Sequence, residues 1–558
     1  MMGFLMDHLI VLPIVLPMAV GAFMLLLGER RTWFKASLNG LSTLAMLAIA
    51  IALLRQADNG VPVSVAVYLP ANWQAPFGIA LAADRLSALM LLITSVLGLA
   101  SLMFSVARWQ RAGVHFHSLF QFQLMGLNGA FLTADLFNLF VFFEVLLAAS
   151  YGLLLHGSGP DRVKAGLHYI AINLTGSMLF LIGVSIIYGI TGSLNMADVA
   201  LRIGQVAATD RSLLEAGAAI LGVAFLIKGG AWPMNFWLPP SYAAASPPVA
   251  AVFSIMTKVG IYVLLRLSLL LFGDHAGDSA GFGHDWLLYT GLVTLGFGGI
   301  GMLAAQNLGR VAGYSVIISS GTLLAAIGFG GVGVTGSALF YLLSSTLALG
   351  AFFLLLELVE RSRTFSSDLL AITREAFGLD LPTDNDDNDH TNVGVAIPAA
   401  MAFLGLSFIA CTLLLTGMPP LSGFIAKFSL LTDVLNPTGL TPDSTVQITT
   451  TAWVMLALLI ATGLTGVIAL TRTGIRVFWA PSGRAVPRLR VIETFPIAAL
   501  LVLCVIITLR AEPVMRYMDA TAAALHAPDD YIRSVLSALQ LTESATQAGS
   551  QVTLEARP

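Results

Sequence analysis

The sequence is a nearly unbroken series of apolar segments, each about as long as a membrane is thick. A transmembrane helix needs about 20 consecutive apolar residues. Of the 558 residues, 57% are hydrophobic and only 11% are charged, whereas soluble domains carry about 25% charged residues. Because a lipid-exposed backbone must satisfy its own hydrogen bonds, long apolar runs of this kind form helices. The sequence therefore predicts an all-α polytopic membrane protein.

The apolar segments predict about 14 transmembrane helices within residues 1–510, followed by a polar C-terminal tail over 511–558 that is too short and too charged to span. The segments at 393–416 and 419–436 flank a Gly/Pro-rich interruption and are interpreted as one discontinuous region; whether it counts as one span or two decides between 14 and 15. The segments are 8–28, 34–54, 81–107, 115–133, 136–156, 165–190, 213–232, 247–271, 286–305, 311–330, 336–358, 393–416, 419–436, 449–471 and 491–510.

Basic residues are confined to some of the loops, which predicts the orientation. The loops after spans one, three and five and the loop before the last span carry Lys and Arg, whereas 134–135, 272–285, 331–335 and 437–448 carry none. Loops rich in Lys and Arg stay on the cytoplasmic side. We therefore expect both termini to lie on the outer side. The basic residues are Arg30, Arg31, Lys35, Arg108, Arg111, Arg162, Lys164, Arg472, Arg476, Arg484, Arg488 and Arg490.

Composition excludes several other classes of protein. The formal net charge is −3 and there is no basic tract, which leaves nucleic-acid binding without an electrostatic basis. Cys411 and Cys504 lie inside apolar runs, so we expect neither a disulfide framework nor a metal site. The loop 361–392 ends in an acidic run over 384–390, but it lacks the calcium-loop pattern. We interpret this loop as an insertion without chemistry, and we predict no metal and no cofactor.

Among the charged residues inside apolar segments, four stand out: Glu144, Lys228, Lys258 and Lys427. A charge at the bilayer centre costs about 2.5–3.5 kcal/mol on insertion scales. The chain has five lysines, and three of them are in this set. Arginine stays charged in any environment, whereas lysine and glutamate can exchange a proton near neutral pH when they are desolvated. The four residues therefore predict proton transfer through the membrane.

Two of these lysines border interruptions of an apolar helix. Lys228 precedes Pro233, and Lys427 follows a Gly/Pro-rich run. Irregular backbone at membrane depth is tolerated only where it is buried in protein or lines a cavity. Two such interruptions in one chain indicate internal repeats with a site at each break, here roughly over 115–271 and 286–471. The predicted helix breaks are at Pro233, Pro419, Pro420 and Gly423.

Each of these charges also has a structural explanation. A single lysine in a membrane can reach the interface with its side chain or pair without any transport role. Glu144 and Lys228 could form a purely structural ion pair. Asp135, just before the Glu144 segment, is better explained as a helix cap. A structural scaffold is a further possible class of protein, in which the buried charges would only fix the register of the helices.

Three runs resemble one known family, the antiporter-like proton-translocating subunits shared by respiratory complex I and Mrp-type Na+/H+ antiporters. The runs are residues 116–122 (FHSLFQF), 128–144 (NGAFLTADLFNLFVFFE) and 228–233 (KGGAWP) continuing to 237–239 (WLP). They look more like the D-type member of the Mrp antiporter than like any complex I protein. The resemblance covers roughly residues 80–510.

The resemblance implies fourteen helices with two inverted five-helix repeats, each containing a broken helix, and a horizontal polar axis formed by charged residues. It places Glu144 on the fifth helix, Lys228 on the broken seventh, Lys258 on the eighth and Lys427 on the broken twelfth. It also implies a bacterial cytoplasmic membrane, other membrane subunits as partners, and H+ exchanged for a monovalent cation, with Na+ expected. The alternative within the family is a proton-pumping subunit of an NADH dehydrogenase or hydrogenase complex.

The sequence departs from the complex I pattern at several positions. Asn235 and Tyr242 stand where complex I relatives usually have histidines, which favours the Mrp branch. The tenth and eleventh helices usually supply a histidine and a lysine, but this chain has Tyr314-Ser315 and a Ser-rich run over 344–349. Relay continuity across 310–350 therefore depends on serines and internal water. We predict a transporter subunit, not an enzyme.

Overall fold

The computed structural model describes residues 8–59, 65–377, 399–436, 448–479 and 489–538, and within these it is almost entirely helical. The one sheet there is a two-stranded antiparallel ribbon, β1 (Ala66–Tyr68) with β2 (Leu81–Ala83), in which Val67 pairs with Ala82. The described residues of the first half form ten α-helices. They are α1 (Leu12–Leu26), α2 (Thr32–Asp58), α3 (Arg85–Ala107), α4 (Phe116–Leu132), α5 (Leu136–Leu154), α6 (Pro160–Thr191), α7 (Met196–Ile203), α8 (Ala208–Gly229), α9 (Leu238–Ala244) and α10 (Pro247–Leu271).

The second half of the described chain continues the same pattern. Its helices are α11 (His284–Ala304), α12 (Leu308–Phe329), α13 (Val332–Phe377), α14 (Ala399–Thr416), α15 (Ser422–Leu435), α16 (Thr450–Gly474), α17 (Val491–Leu509), α18 (Ala511–His526) and α19 (Asp529–Leu536). Short 3-10 turns cover Trp109–Arg111 and Asp274–Ser279, and a π turn covers Ile475–Trp479.

Each of the fifteen predicted apolar segments coincides with a helix. Twelve helices in the described ranges are long and apolar enough to cross a membrane, which confirms an all-α polytopic membrane protein; the count of about 14 stays a prediction. Helix α13 runs to Phe377 and so extends 19 residues beyond the predicted end at 358. The predicted loop 361–392 is therefore wrong over 361–377, because a helix can continue into water; the acidic run over 384–390 lies outside the described residues.

Helix α10, which carries Lys258, lies at the centre of the protein. Its whole membrane-length stretch is buried, and α12 and α13 on one side of it are almost as enclosed. In contrast, α2, α16 and α17 are mostly exposed along their apolar lengths, as expected for helices that face lipid. Polar groups on α10, α12 and α13 are therefore shielded from lipid by the surrounding helices.

Both predicted interruptions are present, and each begins with a glycine in the left-handed region. Gly230 has φ +71° after α8, and Gly417 has φ +76° after α14. Glycine adopts such angles at little cost, which makes it the usual residue just past a helix end. A proline follows three residues later in both cases, Pro233 and Pro420. The predicted repeats each contain one interrupted helix; their boundaries and inverted relationship stay predictions.

Residues 511–536, predicted as part of a polar tail, form α18 and α19, which pack against the membrane helices. Met518 and Leu525 of α18 are buried, and α18 contacts α13 and α10. A buried ion pair lies beside this contact: Arg266 Nη2 is 2.8 Å from both carboxylate oxygens of Asp84, and its guanidinium lies over the Tyr531 ring of α19. Although burial opposes ionisation of Asp84, the Arg266 charge holds the pKa of that carboxyl below its usual value.

Candidate functional site

Lys228 lies at the last turn of α8, two residues before the glycine that ends the helix. Its side chain is buried, and its Nζ is 3.4 Å from the hydroxyl of Ser177 on α6. The same ammonium group lies 5.2 Å from the centre of the Phe143 ring on α5. A cation over an aromatic face is stabilised by the ring quadrupole. Lys228 is thus held by one long hydrogen bond and one cation–π contact.

Glu144, on α5 beside Phe143, is partly buried and close to Lys228 without contacting it. Its carboxylate acts electrostatically on Lys228, but the two charged groups do not approach within 4.0 Å. In the part of the chain that the structure describes, Oε1 of Glu144 is buried and makes no hydrogen bond. These two residues therefore do not form the structural ion pair considered above. An unpartnered buried carboxylate oxygen is costly and is found where a proton or water binds.

Lys258 is completely buried at the middle of α10. Its Nζ donates a 2.8 Å hydrogen bond to Ser319 Oγ on α12. Ser319 in turn donates to Ser345 Oγ on α13 at 3.1 Å. Lys258 is therefore the first member of a hydrogen-bonded chain that crosses three helices inside the protein.

The hydroxyl chain from Lys258 ends at a small cavity that Lys427 also lines. The cavity has a volume of about 20 Å³ and is lined by Ser319, Ser344, Ser345 and Lys427, among other residues. A polar cavity of more than about 10–15 Å³ can hold one water molecule when two to four polar groups face it. The space between the serine hydroxyls and Lys427 is thus large enough and polar enough for a single bridging water.

Lys427 lies on α15, and its ammonium group caps the C-terminal end of the preceding helix α14. Its Nζ donates to the carbonyl oxygen of Thr416 at 2.8 Å and lies 3.5 Å from that of Leu415. The last carbonyl groups of a helix lack partners within the helix and carry the negative end of its dipole. The break over 417–421 therefore supplies acceptors that hold a buried lysine without a carboxylate.

Replacing Gly417 by alanine is expected to destabilise the protein by about 1–3 kcal/mol, because a non-glycine residue is strained at φ +76°. A Cβ at this position would also lie 2.5 Å from Cδ of Lys427. The thermal unfolding midpoint of the purified protein in detergent measures the effect. Gly405→Ala on α14, where a Cβ meets nothing within 4 Å, is the control and should leave the midpoint unchanged.

The four predicted proton-transfer residues are not one continuous cluster. Among the described residues, no hydrogen bond joins Lys228 to Lys258. The helices that carry them are nevertheless in backbone contact, because a Cβ on Gly260 would lie 2.8 Å from the nitrogen of Gly229. The structure thus gives two halves, Glu144 with Lys228 and Lys258 with Lys427, that meet where α8 and α10 cross.

The predicted break residues take two different positions. Pro233 lies between α8 and α9, and Pro419 and Pro420 lie between α14 and α15. Gly423 lies inside the first turn of α15 instead, where a Cβ would collide with the carbonyl oxygen of Leu414. Gly423 therefore allows the two half-helices to approach each other rather than ending either of them.

Sequence reasoning missed some polar residues of the site. Ser345 belongs to the Ser-rich run over 344–349 noted in the sequence, but Ser319 was not singled out, and only the structure shows that Ser319 contacts both Lys258 and Ser345. Asp433 and Arg266 lie inside predicted spans, so the rule that singled out the lysines would also have found them. Asp135 caps α5 through a 2.7 Å bond from the Asn138 amide, as predicted.

A comparison with family models matches residues 133–451 to the family described as NADH:quinone oxidoreductase/Mrp antiporter, transmembrane region. This match includes all four buried charged residues and both helix breaks. The chain belongs to this family. Membership confirms the resemblance inferred from the sequence motifs, and the fold class with it.

Other members of the NADH:quinone oxidoreductase/Mrp antiporter family are similar over nearly the whole chain. The D subunit of a probable K(+)/H(+) antiporter of Rhizobium meliloti (strain 1021) is 55% identical over 98% of this chain and 99% of its own length. The D subunit of the Na(+)/H(+) antiporter of Alkalihalophilus pseudofirmus is 33% identical over 95% of this chain and 100% of its own.

Solved structures of the family have the same fold. A chain of the Mrp complex from Dietzia sp. DQ12-45-1b superposes with a TM-score of 0.78 at 25% identity, over 95% of this chain and 99% of that one. A chain of respiratory complex I from Thermus thermophilus gives a TM-score of 0.69 at 20% identity, over 95% of this chain and 100% of that one. At this lower identity, the second likeness concerns the fold alone.

Proposed function

We propose that this chain is the proton-translocating membrane subunit of a multi-subunit monovalent cation/proton antiporter. Protons move through Glu144, Lys228, Lys258 and Lys427, in that order across the protein. The observation that carries the proposal is the chain from Lys258 Nζ through Ser319 and Ser345 to the cavity beside Lys427. This chain crosses the interval 310–350, where the sequence lacks the ionisable groups usual in the family.

The chemistry of the chain suits proton transfer. A serine hydroxyl both donates and accepts a hydrogen bond, so it can receive a proton on one side and release its own on the other. A neutral Lys258 amine would reverse the direction of donation along Ser319 and Ser345. Lysine can lose its proton when it is buried, whereas arginine cannot. Glu144 modulates the charge of Lys228 from beyond contact distance, so protonation of one biases the other.

The exchanged cation is not decided by these residues. The 55% identical relative is named as part of a K(+)/H(+) antiporter and the 33% identical relative as part of a Na(+)/H(+) antiporter. The expectation of Na+ from the sequence stays a prediction, and the more similar relative favours K+. We expect the complex that contains this chain to move protons in response to K+, and assays with K+ and Na+ in parallel distinguish the two.

The proposed setting is a bacterial cytoplasmic membrane, with other membrane subunits of the antiporter as partners. The basic loops face the cytoplasm and both termini face outward, as the distribution of Arg and Lys favours. A subunit of a respiratory complex is the alternative, because the complex I chain has the same fold. Copurification separates the two: small membrane proteins alone support the antiporter, and flavin or iron–sulfur proteins support the alternative.

Replacing Ser319 by alanine is expected to slow cation-dependent proton movement in vesicles about tenfold. The variant removes the hydroxyl that accepts from the buried Lys258 ammonium, a loss of roughly 1.4 kcal/mol or more in hydrogen-bond free energy. It also breaks the hydrogen-bonded chain between Lys258 and Ser345. Ser268→Ala on α10 is the matched control, because that hydroxyl bonds only within its own helix, to Leu265 O. Full activity in Ser319→Ala would show that protons do not cross by this route.

A further inference from the structure

Helices α13 and α15 face each other with a second set of polar groups that the path above does not use. At the inner end, Ser344 on α13 and Ser422 on α15 share a 2.8 Å hydrogen bond, and Ser344 lines the cavity of Lys427. Seven residues away on each helix, Ser337 and Ser429 share a 2.5 Å hydrogen bond. Seven residues correspond to two helical turns, so both pairs lie on the same interface.

The outer pair of serines ends on a carboxylate. Ser337 is completely buried and donates a 2.5 Å hydrogen bond to Asp433 Oδ2, one turn beyond Ser429 on α15. A serine has one proton to donate, so Ser429 donates to Ser337 and Ser337 donates to Asp433. This fixed direction gives a wire of two hydroxyls and one carboxylate, which we call the outer seam (Ser337, Ser429 and Asp433).

The outer seam lies next to water and to a second acidic residue. Asp433 is partly exposed at the end of α15, and Asp519 of α18 is exposed. Glycines on the first turns of α13 make room for both: a Cβ on Gly333 would lie 3.4 Å from the Asp433 carboxyl carbon, and one on Gly336 would collide with Asp519 Oδ1. Partial burial, with repulsion from Asp433, raises the pKa of the Asp519 carboxyl.

A purely structural explanation would have these hydroxyls only hold two membrane helices together. Such interhelical bonds average only about 0.6 kcal/mol, and serine pairs alone would suffice for that. Helix association through these serines does not require a carboxylate, whereas Asp433 Oδ2 accepts directly from Ser337. A carboxylate that accepts from a buried hydroxyl and reaches water is the arrangement expected at the mouth of a proton path.

From this geometry we propose that Ser337, Ser429 and Asp433 form the mouth through which protons pass between Lys427 and the side of the membrane where α15 ends. The inference rests on the proposed function, because it gives Lys427 its connection to water. On the orientation predicted from the basic loops, this side is the outer one. Asp519 is the first group beyond the mouth.

Each transfer along the mouth passes on one proton and leaves every hydroxyl neutral. The Lys427 ammonium gives its proton to water that enters between α13 and α15, and the amine remains. Ser429 accepts that proton and releases its own to Ser337, which passes its own to the Asp433 carboxylate; Asp433 then returns it to bulk water.

Transport assays of vesicles that contain the assembled complex test the mouth. Asp433→Asn keeps the shape and still accepts from Ser337, but an amide cannot carry the proton, so we expect at least a tenfold loss of cation-dependent proton movement with normal assembly. Asp433→Glu should restore most of the activity. Thr432→Val, on the exposed side of α15 next to Asp433 and bonded only to its own helix at Phe428 O, should behave as wild type.

Two outcomes separate failure of the mouth from failure of the proposed function. If Lys427→Arg is inactive while Asp433→Asn and Ser337→Ala both transport normally, the mouth is overturned and the proposed function stands. If Lys427→Arg, Asp433→Asn and Ser337→Ala are all fully active, both the mouth and the proposed function are overturned.

Thiol labelling provides a second readout, separate from the transport assay and from the stability of Asp433→Asn. In intact cells, Ser429→Cys should react with a membrane-impermeant thiol reagent during turnover, whereas Phe428→Cys, at a position that is 61% exposed on the apolar face, should not. The two native cysteines, Cys411 and Cys504, are buried and give the background in the wild type. Equal, background labelling of both variants overturns the mouth.

Discussion

Replacing Glu144 by glutamine or Lys228 by methionine is expected to lower cation-dependent proton movement to background, a loss of about 10²–10⁴-fold. Both variants keep the approximate shape of the side chain and remove the group that exchanges a proton. Glu144 acts on Lys228 without touching it, so neither residue holds the other in place. The measurement is dye-reported proton movement in vesicles after addition of K+ or Na+, with assembly of the complex checked in parallel.

A buried lysine elsewhere in the chain supplies the control for this pair. Lys35 is as buried as Lys228, but its Nζ forms a 2.8 Å salt bridge with Glu29. Lys35→Met removes that bridge, at the end of α2 near the basic loops, and should leave proton movement intact. Normal activity in both Glu144→Gln and Lys228→Met would remove these residues from the path.

Replacing Lys427 by either methionine or arginine should also abolish transport, for different reasons. Methionine removes the proton-carrying group, and arginine keeps a positive charge and can still donate to the Thr416 carbonyl but does not release its proton. If Lys427 only fixed the two half-helices, arginine would preserve function and methionine would impair assembly alone. Transport and assembly measured side by side therefore distinguish a proton carrier from a scaffold.

The contrast between the two variants is informative because of how Lys427 is bound. Its acceptors are backbone carbonyls of the broken helix, which persist in both variants. The backbone at Gly417 packs closely against the Lys427 side chain, so the larger guanidinium of arginine could disturb the break between α14 and α15. Normal assembly of the Lys427→Arg complex would rule out such a disturbance. Wild-type transport in an assembled Lys427→Met complex would contradict the proposed role.

Much of the fold follows from the sequence because membrane helices are determined by segment length. Every apolar segment became a helix, and the Gly/Pro runs at 229–233 and 417–420 became breaks, since glycine and proline cannot continue a helix there. The helices α18 and α19 were not predicted, because the segment that contains them is too charged to span a membrane. The buried residues of α18, Met518, Thr521, Ala522 and Leu525, nevertheless repeat at the spacing of an amphipathic helix, so a local pattern was present. The sequence does not indicate that this face packs against α13 and α10.

The site was predictable in part. The cost of a buried charge is a local property, so Lys228, Lys258 and Lys427 could be found from the sequence, and all three are buried. The contact of Lys258 with Ser319 joins residues 61 positions apart and depends on how α10 and α12 pack. Serine is common in membrane helices and usually bonds to its own backbone, so the sequence gives no sign of which serines connect two lysines.

Between Lys258 and Lys427 the protein uses alcohols in place of ionisable groups. An alcohol conveys a proton but has no stable charged form near neutral pH, so it cannot store one. On the proposed path, the proton at rest is therefore on one amine or the other, and this half of the molecule has few intermediate states to populate. In a path with a titratable residue at each stage, a proton can stop at each of them. In the serine segment, a proton passes from one lysine to the other in a single step, so the proton occupancy of the segment is the occupancy of its two lysines.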